Sequence, residues 1–320
     1  MTDRVDYLEA KRAVDDAALD REALATLSDR LPPEPVVLEA GAGTVTMVER
    51  LHEWGIVAGG RWVAVDADPE ALRSGRERLL ERAATPVGEP SPRRGGDTAN
   101  GSNPADGTTT GRERDGDVPG FAPVRLGAIR VEFVVADVFE ADAEGYLSGS
   151  LPDRDDLSGS PPDGVGRYDL LVGCAFFDLV DADRAVDALG GVADLVYAPI
   201  TYDGETAFSP SDPADDTVLD RYRMHMEGHR DGSPEGATAL SRAFDRAGWT
   251  CIHDGPSPWR IVPPYFEAER TVVTHVIETI EDAVGRTGFD ASEWAARRRR
   301  DLANEALQYE AANRDLLFRR

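Results

Sequence analysis

Residues 35–51 read PVVLEAGAGTVTMVERL, and this stretch decides the fold. The apolar run from Pro35 to Ala40 predicts a buried strand, and the pattern over about 44–54 predicts a helix. Gly41 and Gly43 between them predict a tight turn. A strand, a glycine turn and a helix in this order are typical of a nucleotide-binding loop, where backbone N–H groups at a helix start approach the ligand.

The glycine pattern of this loop limits which nucleotide it can hold. The dinucleotide fingerprint G-x-G-x-x-G uses its third glycine for close packing of helix and strand, and that position is Thr46. The Gly-Lys-Ser/Thr ending of a phosphate-binding P-loop is absent as well. Glu39, two residues before Gly41, would repel a pyrophosphate and suits a cationic or amine-bearing ligand. The loop therefore predicts neither a dinucleotide nor a nucleoside triphosphate.

With Glu39-x-Gly41-x-Gly43 the sequence resembles the class I S-adenosylmethionine-dependent methyltransferases, whose first motif is E/D-x-G-x-G-x-G. The resemblance continues over about 35–262 at the usual spacings, with Val45 where the family has its third glycine. It implies S-adenosyl-L-methionine as the cofactor, held along the loop by five residues: Glu39, Gly41, Ala42, Gly43 and Thr44. An ordinary strand–turn–helix without a ligand is the alternative that this motif alone leaves open.

Acidic residues also end the next two predicted strands. Asp66 closes the apolar run of Arg61–Val65, and the resemblance implies that Asp66 and Ala67 lie at the ribose hydroxyls. Asp137 closes the following strand, and its implied partner is the adenine amino group, with Val138 beside the ring. A turn-forming Asp is the alternative for Asp137. Three acids at the ends of three successive strands are less easily a coincidence than one.

The fourth strand, Tyr168–Cys174, ends near the expected site of methyl transfer, and we assign Cys174 to the cofactor site. Amino-methyltransferases of nucleic acids carry N/D-P-P-Y/F here, and this chain does not, so a flipped base is disfavoured as the acceptor. Phe176 and Phe177 either wall the transfer site or belong to the core. Asp178 is either a substrate contact or base, or a cap of the next helix.

Further candidates follow the fifth strand, predicted over Leu195–Ile200. Tyr202 and Asp203 are expected to leave that strand where the substrate would lie, and aromatic and acidic groups suit a small amine or hydroxyl compound; a solvated loop is the alternative. His225 is a candidate substrate-side base. His225 and His229 have a metal-ligand spacing, but neither H-E-x-x-H nor a third ligand accompanies them, so no metal is predicted.

The amino-terminal segment YLEAKRAVDDAAL is predicted to be helical. Small-molecule methyltransferases often fold such a helix over the cofactor, so the resemblance places Tyr7 and Lys11 on the substrate side, with Asp15 one turn later. The alternative is an ion pair between Lys11 and Asp15 on the helix surface.

The composition is strongly acidic. The formal charge is −25, from 60 acidic and 35 basic residues, and Lys11 is the only lysine. Salt at molar concentration screens such a surplus within about 3 Å, so the chain reads as a haloarchaeal-type, halophilic protein. The acidity argues weakly against nucleic acid as a partner. The charged start MTDRVDYLEAKR lacks the apolar stretch of a signal peptide, and no membrane-length apolar run occurs, which predicts a cytoplasmic protein with no membrane partner.

The alternation of strands and helices predicts an α/β fold, a Rossmann-like doubly wound sheet of seven strands in the class I methyltransferase order with the last strand antiparallel. A hairpin over 250–262 supplies the last strands, and a helix running to about Leu317 ends the chain. The predicted segments are an N-terminal helical cap (1–33), a cofactor-binding core (34–262) and a C-terminal helical pair (263–320). Polar stretches over about 84–127 and 148–166 predict disordered insertions.

These observations predict a methyltransferase that acts on a small molecule by in-line transfer. That reaction needs proximity and alignment, with removal of a proton where the nucleophile is an amine or a hydroxyl. A catalytically inactive cofactor-binding or scaffold protein is one alternative, and an RNA or protein methyltransferase is another. The acceptor and the oligomeric state are not predicted.

Overall fold

A computed structural model describes residues 4–84, 121–143, 168–229, 233 and 235–320. The disordered insertions predicted at 84–127 and 148–166 lie almost wholly outside these residues. Within the described part of the first insertion, Val124–Leu126 forms a strand, contrary to the prediction. The reason is tertiary: this strand pairs with the one that follows it and buries Val124 and Leu126.

The helices of the described residues are α1 (Arg4–Ala18), α2 (Arg21–Ser28), α3 (Thr46–Glu53), α4 (Pro69–Ala84), α5 (Val138–Ala143), α6 (Ala182–Leu189), α7 (Asp215–His229), α8 (Gly236–Arg246), α9 (Glu267–Arg286) and α10 (Ser292–Ala303). The strands are β1 (Val36–Ala40), β2 (Gly59–Asp66), β3 (Val124–Leu126), β4 (Ala128–Val135), β5 (Tyr168–Val172), β6 (Ala193–Ser209), β7 (Thr250–Pro256), β8 (Trp259–Ile261) and β9 (Gln308–Arg319).

One sheet contains all the described strands, in the order β3-β4-β2-β1-β5-β6-β9-β7, with β8 pairing to β9. Within it, β4-β2-β1-β5-β6-β9-β7 is the predicted class I order, and β9, the last strand, runs antiparallel to both of its neighbours. The predicted fold class is therefore confirmed. The predicted count of seven strands is wrong, since the described residues form nine: β3 extends one edge, and β8 covers a part of β9 that β7 does not reach.

The last strand corrects two predictions. The final helix ends at Ala303 and does not reach Leu317, because residues 308–319 form β9. The 250–262 segment is not a hairpin, since β7 and β8 each pair with β9. Tyr309 and Ala311 are buried on one face of β9, but the polar Asn313 and Asp315 are buried on that same face and interrupt the apolar alternation. The domain boundaries stay predictions, although β9 enters the sheet assigned to the core.

Strand β6 is longer than predicted. It continues past Ile200 to Ser209 because β9 pairs along it, with two register shifts. Tyr202 and Asp203 therefore lie within a strand rather than in a loop that leaves it, which corrects their predicted setting.

Helices cover both faces of the sheet. One buried cluster joins α1, α2, α3, α4, α9 and α10 to the first face, and a second joins α6 and α8 to the other. Such a doubly covered sheet leaves the carboxyl ends of its parallel strands as the place for a ligand. None of the described helices combines the length and the apolar character needed to cross a membrane.

Candidate functional site

The glycine loop after β1 is held by the acid that ends β2. Gly41 and Gly43 have φ values of 62° and 52°, in the left-handed region that glycine adopts easily. The amide of Gly43 donates to Asp66 Oδ2 at 2.7 Å, and the amide of Asp68 donates to Asp66 Oδ1 at 2.8 Å. Asp66 thus connects the turn after β1 with the turn after β2. Each of its oxygens keeps a second lone pair with which it could accept a hydroxyl.

Val45 differs from its predicted setting. It lies just before α3 with φ 57°, not in the first helical turn, and its side chain is fully buried. A β-branched residue is a genuine outlier in this region. A Cβ built on Gly75 of α4 would overlap the Thr44 carbonyl and lie 3.0 Å from Val45 Cγ2. The glycine that lets a helix approach the loop is therefore present on α4 rather than in the loop.

Glu39 lies beneath the loop and is buried. The indole Nε1 of Trp62 donates to its Oε2 at 2.7 Å, and the amide of Met47 also binds the carboxyl group. Burial raises the pKa of Glu39 to about 8. At neutral pH this side chain is a neutral acid bonded inside the fold, and it offers no charge to a ligand above the loop.

The open part of the site lies at β2 and β4. These strands are parallel neighbours, with Asp66 opposite Val135, so Asp66 and Asp137 come to the same edge. Asp137 is exposed, and its Oδ1 accepts a hydrogen bond from the Phe139 amide at 2.8 Å. Ala67 is exposed as well, whereas Val138 is buried. We call this set, Asp66, Ala67, Asp137 and Val138, the nucleoside end.

The part at β1 and β5 is covered, and we call it the methionine end: Gly41, Ala42, Gly43 and Cys174. The ring of Phe176 lies so close to Gly41 that a Cβ there would overlap it. Leu8 of α1 lies 3.7 Å from a Cβ built on Gly43. Burial, followed by the charge of Asp15, raises the pKa of the Cys174 thiol to about 12.

A buried ion cluster lies beside Cys174. Lys11 Nζ donates to Asp15 Oδ2 at 2.7 Å, and Arg50 Nη2 lies 3.3 Å from the same oxygen. Trp259 Nε1 donates to Asp15 Oδ1 at 3.1 Å. Burial lowers the pKa of Lys11, but the charges of Asp15, Cys174 and Tyr7 and the hydrogen bond to Asp15 together outweigh it, so the net shift is upward. The predicted pair of Lys11 and Asp15 exists, but it is buried under α1 rather than on the surface.

The candidate residues on the acceptor side differ in how far contacts within the fold already engage their side chains. Tyr202 Oη lies 3.0 Å from Thr206 Oγ1. Asp203 accepts the Thr238 amide at 3.1 Å and pairs with Arg314 at 3.2 Å, so it is committed to the fold. Phe177 is buried and Asp178 half-buried in the short turn Phe177–Leu179.

The structure also decides the helix-cap alternative for Asp178. The cap of α6 is Asp181, whose side chain accepts the Arg184 amide. His225 is half-buried on α7, and the side chain of His229 lies outside the described residues. No group of His, Cys, Asp and Glu suited to a metal occurs in the part of the chain that the structure describes.

Sequence reasoning missed several residues of this region. His275 of α9 stacks on Tyr7 with ring centroids 3.9 Å apart. Tyr222 raises the pKa of both Tyr7 and Tyr202. The pKa of Tyr309 is raised by burial first and then by Tyr222, Tyr7 and Tyr202, and Arg50 belongs to the ion cluster. No local pattern marks these residues. His275, Tyr222 and Tyr309 reach the site from distant parts of the chain, and Arg50, although it follows the glycine loop, pairs with Asp15 and Asp16 of α1.

Backbone strain collects at the same edge. Val45 and Ala175 are non-glycine residues with φ 57° and 49° that follow β1 and β5, and Ile200, with φ 54°, lies within β6 at its first register shift against β9. Such strain costs of order 1–3 kcal/mol per residue and clusters at functional sites. It marks the segments after β1 and β5 and the point of β6 beside the end of β5.

The strand order decides the fold. It is the class I methyltransferase fold. No family model and no curated protein sequence matches the chain. Solved structures similar to it include a Thiobacillus denitrificans SAM-dependent methyltransferase in complex with S-adenosyl-L-homocysteine (12% identity, TM-score 0.43, 95% of this chain and 93% of that one).

Two other solved structures are a geranyl diphosphate methyltransferase in complex with SAM (10% identity, TM-score 0.40, 93% and 84%) and the cyclopropane synthase MmaA2 of Mycobacterium tuberculosis (8% identity, TM-score 0.39, 91% and 82%). Likenesses at this level do not decide an activity.

Proposed function

We propose that the protein is a cytoplasmic S-adenosylmethionine-dependent methyltransferase that acts on a small molecule. The observation that carries this proposal is the pair of carboxylates at the nucleoside end. Asp66 and Asp137 end two neighbouring parallel strands beside a loop with two left-handed glycines. A nucleoside offers hydroxyl and amino donors, and carboxylates at an open sheet edge accept them.

The residues present fit this cofactor at its nucleoside end. Asp66 would accept the ribose hydroxyls, Asp137 the adenine amino group, and Val138 would lie against the ring. The Gly41–Gly43 backbone and Cys174 would border the methionine part. The bound cofactor supplies a methyl group on a sulfonium, and the chain supplies position, alignment and an acceptor for the proton.

The size of the acceptor follows from what surrounds the methionine end. Tyr7 and Lys11 belong to α1, whose Leu8 lies against Gly43, and Tyr202 belongs to β6; all three side chains are half-buried. A small molecule fits a site beneath a helix, whereas a macromolecule needs an open groove. Tyr7 and Lys11 are therefore proposed as acceptor contacts, and Asp178, Tyr202 and His225 as catalytic side chains.

One alternative has its own support. A non-catalytic cofactor-binding or scaffold protein is favoured by the covered methionine end, where Phe176 and Leu8 lie over Gly41 and Gly43. In such a protein the strain at Val45 would be the trace of a decayed loop.

The test is calorimetric titration of S-adenosylmethionine in molar KCl, with Asp137→Asn beside the wild type. Asn keeps an oxygen for the Phe139 amide but loses the charge, so affinity should fall about tenfold. Glu140→Gln is the matched control, since Glu140 is equally exposed three residues later. Absence of binding by the wild type would overturn the proposal. Binding without transfer to any amine, hydroxyl or carboxylate tested would favour the scaffold, and transfer only to macromolecules of an extract would favour an RNA or protein methyltransferase.

A further inference from the structure

We propose that a group of four tyrosines next to the methionine end forms the acceptor pocket, and that it takes a small organic amine in which an oxygen lies near the nitrogen. We call the group the tyrosine cluster: Tyr7, Tyr202, Tyr222 and Tyr309. This inference rests on the proposed function and names its substrate class.

The cluster is assembled from four elements on one face of the sheet. Tyr7 comes from α1, Tyr222 from α7, Tyr202 from β6 and Tyr309 from β9. Tyr309 is buried in the core cluster on this face, and the other three tyrosines pack against the same cluster. The hydroxyls of Tyr202 and Tyr309 both reach the Thr206 hydroxyl, the first at 3.0 Å. Burial first, and then Tyr222, Tyr7 and Tyr202, raise the pKa of Tyr309 well above its ordinary value. His275 closes the group by stacking on Tyr7.

The cluster presents neutral rings at physiological pH. Burial raises the pKa of Tyr7 to about 12 and also raises that of Tyr202. Burial lowers the pKa of His275. Neutral aromatic rings around a site are the chemistry that attracts organic ammonium ions, because the faces of the rings are electron-rich.

Charge favours a cation over an anion. The charge of the Asp178 carboxylate raises the pKa of both Tyr7 and Tyr202. The nearest buried cations are committed: Lys11 pairs with Asp15, and Arg50 pairs with Asp15 and Asp16. Arg223 lies on the exposed side of Tyr202 and donates to the Gly204 carbonyl at 2.9 Å. A carboxylate acceptor would find no uncommitted buried cation among these groups, whereas an ammonium group finds Asp178.

A buried amide supplies the second contact. Asn313 lies directly opposite Tyr202 in the ladder of β6 and β9, so both side chains are on the face that carries the cluster. It is 6% exposed, and its Nδ2 has no hydrogen-bond partner among the residues that the structure describes. A buried donor without a partner costs about 1–3 kcal/mol. An oxygen on the ligand would satisfy it, which is why the amine proposed carries one.

The chemistry balances with S-adenosylmethionine as the methyl donor. The amine reacts as its free base: its nitrogen lone pair forms the new bond to the methyl carbon while the bond from carbon to sulfur breaks and its electron pair stays on sulfur. The proton that the protonated amine must lose beforehand passes to Asp178, whose charge raises the pKa of both Tyr7 and Tyr202, and from there to water.

The experiment uses choline and its uncharged isostere 3,3-dimethylbutan-1-ol as probes, titrated into the wild type in molar KCl without cofactor and followed by ligand-observed NMR and by thermal shift. Choline should bind at least about tenfold more tightly than the isostere, because only the charge differs. Asp178→Asn should remove most of that difference, and Arg223→Gln, which removes a cation at the exposed rim, should leave it or increase it. Tyr7→Leu should weaken choline about tenfold.

Tyr168→Phe is the matched control for the tyrosines, since Tyr168 is buried in the cluster on the opposite face of the sheet. It should leave choline binding unchanged. Equal binding of choline and the isostere, or no binding of choline by a wild type that still binds S-adenosylmethionine, would overturn this inference and leave the proposed function standing. Arg223→Gln controls for misfolding. Arg223 is exposed, and its replacement should leave or increase the preference for choline over the isostere, whereas Asp178→Asn should decrease that preference.

Discussion

The nucleoside end and the methionine end of the proposed site differ in how they are built. At the nucleoside end, Asp66 and Asp137 follow directly from strands, and the edge around Ala67 is exposed. At the methionine end, Gly41 and Gly43 are overlaid by Phe176 and Leu8. One end is made by local sequence and lies open, whereas the other is made by remote residues and is covered.

This difference has a consequence for binding. On the proposed function, the nucleoside of a cofactor reaches its end of the site directly, whereas the methionine part would meet the ring of Phe176 at Gly41. A state that is only partly populated lowers the apparent affinity by its population. The covering side chains should therefore lower the affinity for S-adenosylmethionine but not the affinity for a bare nucleoside.

The largest expected effect comes from filling the covered end. In Gly41→Ala a new Cβ would overlap Phe176 and strain a backbone with φ 62°. Overpacking and the left-handed backbone together should lower the free energy of unfolding by about 2–4 kcal/mol. Gly43→Ala, which has the same strain but only Leu8 at 3.7 Å, should lose about 1–2 kcal/mol. Urea unfolding of both variants checks this, and equal losses would show that Phe176 does not cover Gly41.

Uncovering that end should have the next largest effect. Phe176→Ala removes the ring from Gly41, so S-adenosylmethionine should bind more tightly, by up to about tenfold. Calorimetry measures the affinity. The contact of Phe176 with Phe177, with ring centroids 5.2 Å apart, is lost at the same time, so the melting temperature should fall. Weaker binding would mean that the ring is part of the pocket rather than its cover.

A pH effect should arise beneath the loop. The pKa of Glu39 is raised by burial from an ordinary value of 4.5 to about 8, so the folded state holds its proton more tightly than the unfolded state does. The resulting stabilisation is complete below pH 4.5 and is lost as pH rises towards 8. Between pH 6 and 8 the wild type should lose on the order of 1–3 kcal/mol relative to Glu39→Gln.

Denaturant unfolding at the two pH values measures this loss. Glu132→Gln is the control, because the pKa of Glu132 is lowered by Arg61 and Arg130 despite its burial, and the group is ionised in both states throughout that range. A pH response that Glu39→Gln leaves unchanged would contradict the buried, protonated carboxyl.

The smallest effect concerns Val45. Val45→Gly gives up a buried side chain but relieves φ 57°, so stability should change by about 1 kcal/mol or less and cofactor binding should be kept or tightened. Val45→Ala loses the burial without the relief and should be the less stable of the two. The opposite order in thermal unfolding would show that the left-handed backbone at this position is not strained.

The sequence predicts the open end better than the covered one, for a physical reason. Asp66 and Asp137 are fixed by their own strands, so their place follows from apolar runs that end in an acid. The strand order of the core follows from the resemblance. Leu8 and Phe176 reach the glycines through tertiary packing, which no local pattern reveals.

The C-terminal strand illustrates the same limit. The apolar–polar alternation expected of a strand is hidden in the sequence of β9 because the polar residues Asn313 and Asp315 occupy buried positions. Asp315 accepts the Tyr197 hydroxyl at 2.7 Å and the Ile200 amide at 2.9 Å, bonds that exist only once β6 and β9 have paired. A helix was the natural expectation for a segment whose buried face is partly polar, and Tyr309 of the tyrosine cluster was missed with it.

The contrast between the two ends can be measured most directly with two ligands and one variant. Calorimetry in molar KCl would compare S-adenosylmethionine with 5′-methylthioadenosine, which keeps the nucleoside but lacks the amino acid part, in the wild type and in Phe176→Ala. The nucleoside should bind both proteins equally, and S-adenosylmethionine should gain affinity only in Phe176→Ala. If the nucleoside fails to bind, or if the variant changes both affinities alike, the open and the covered end are not those described.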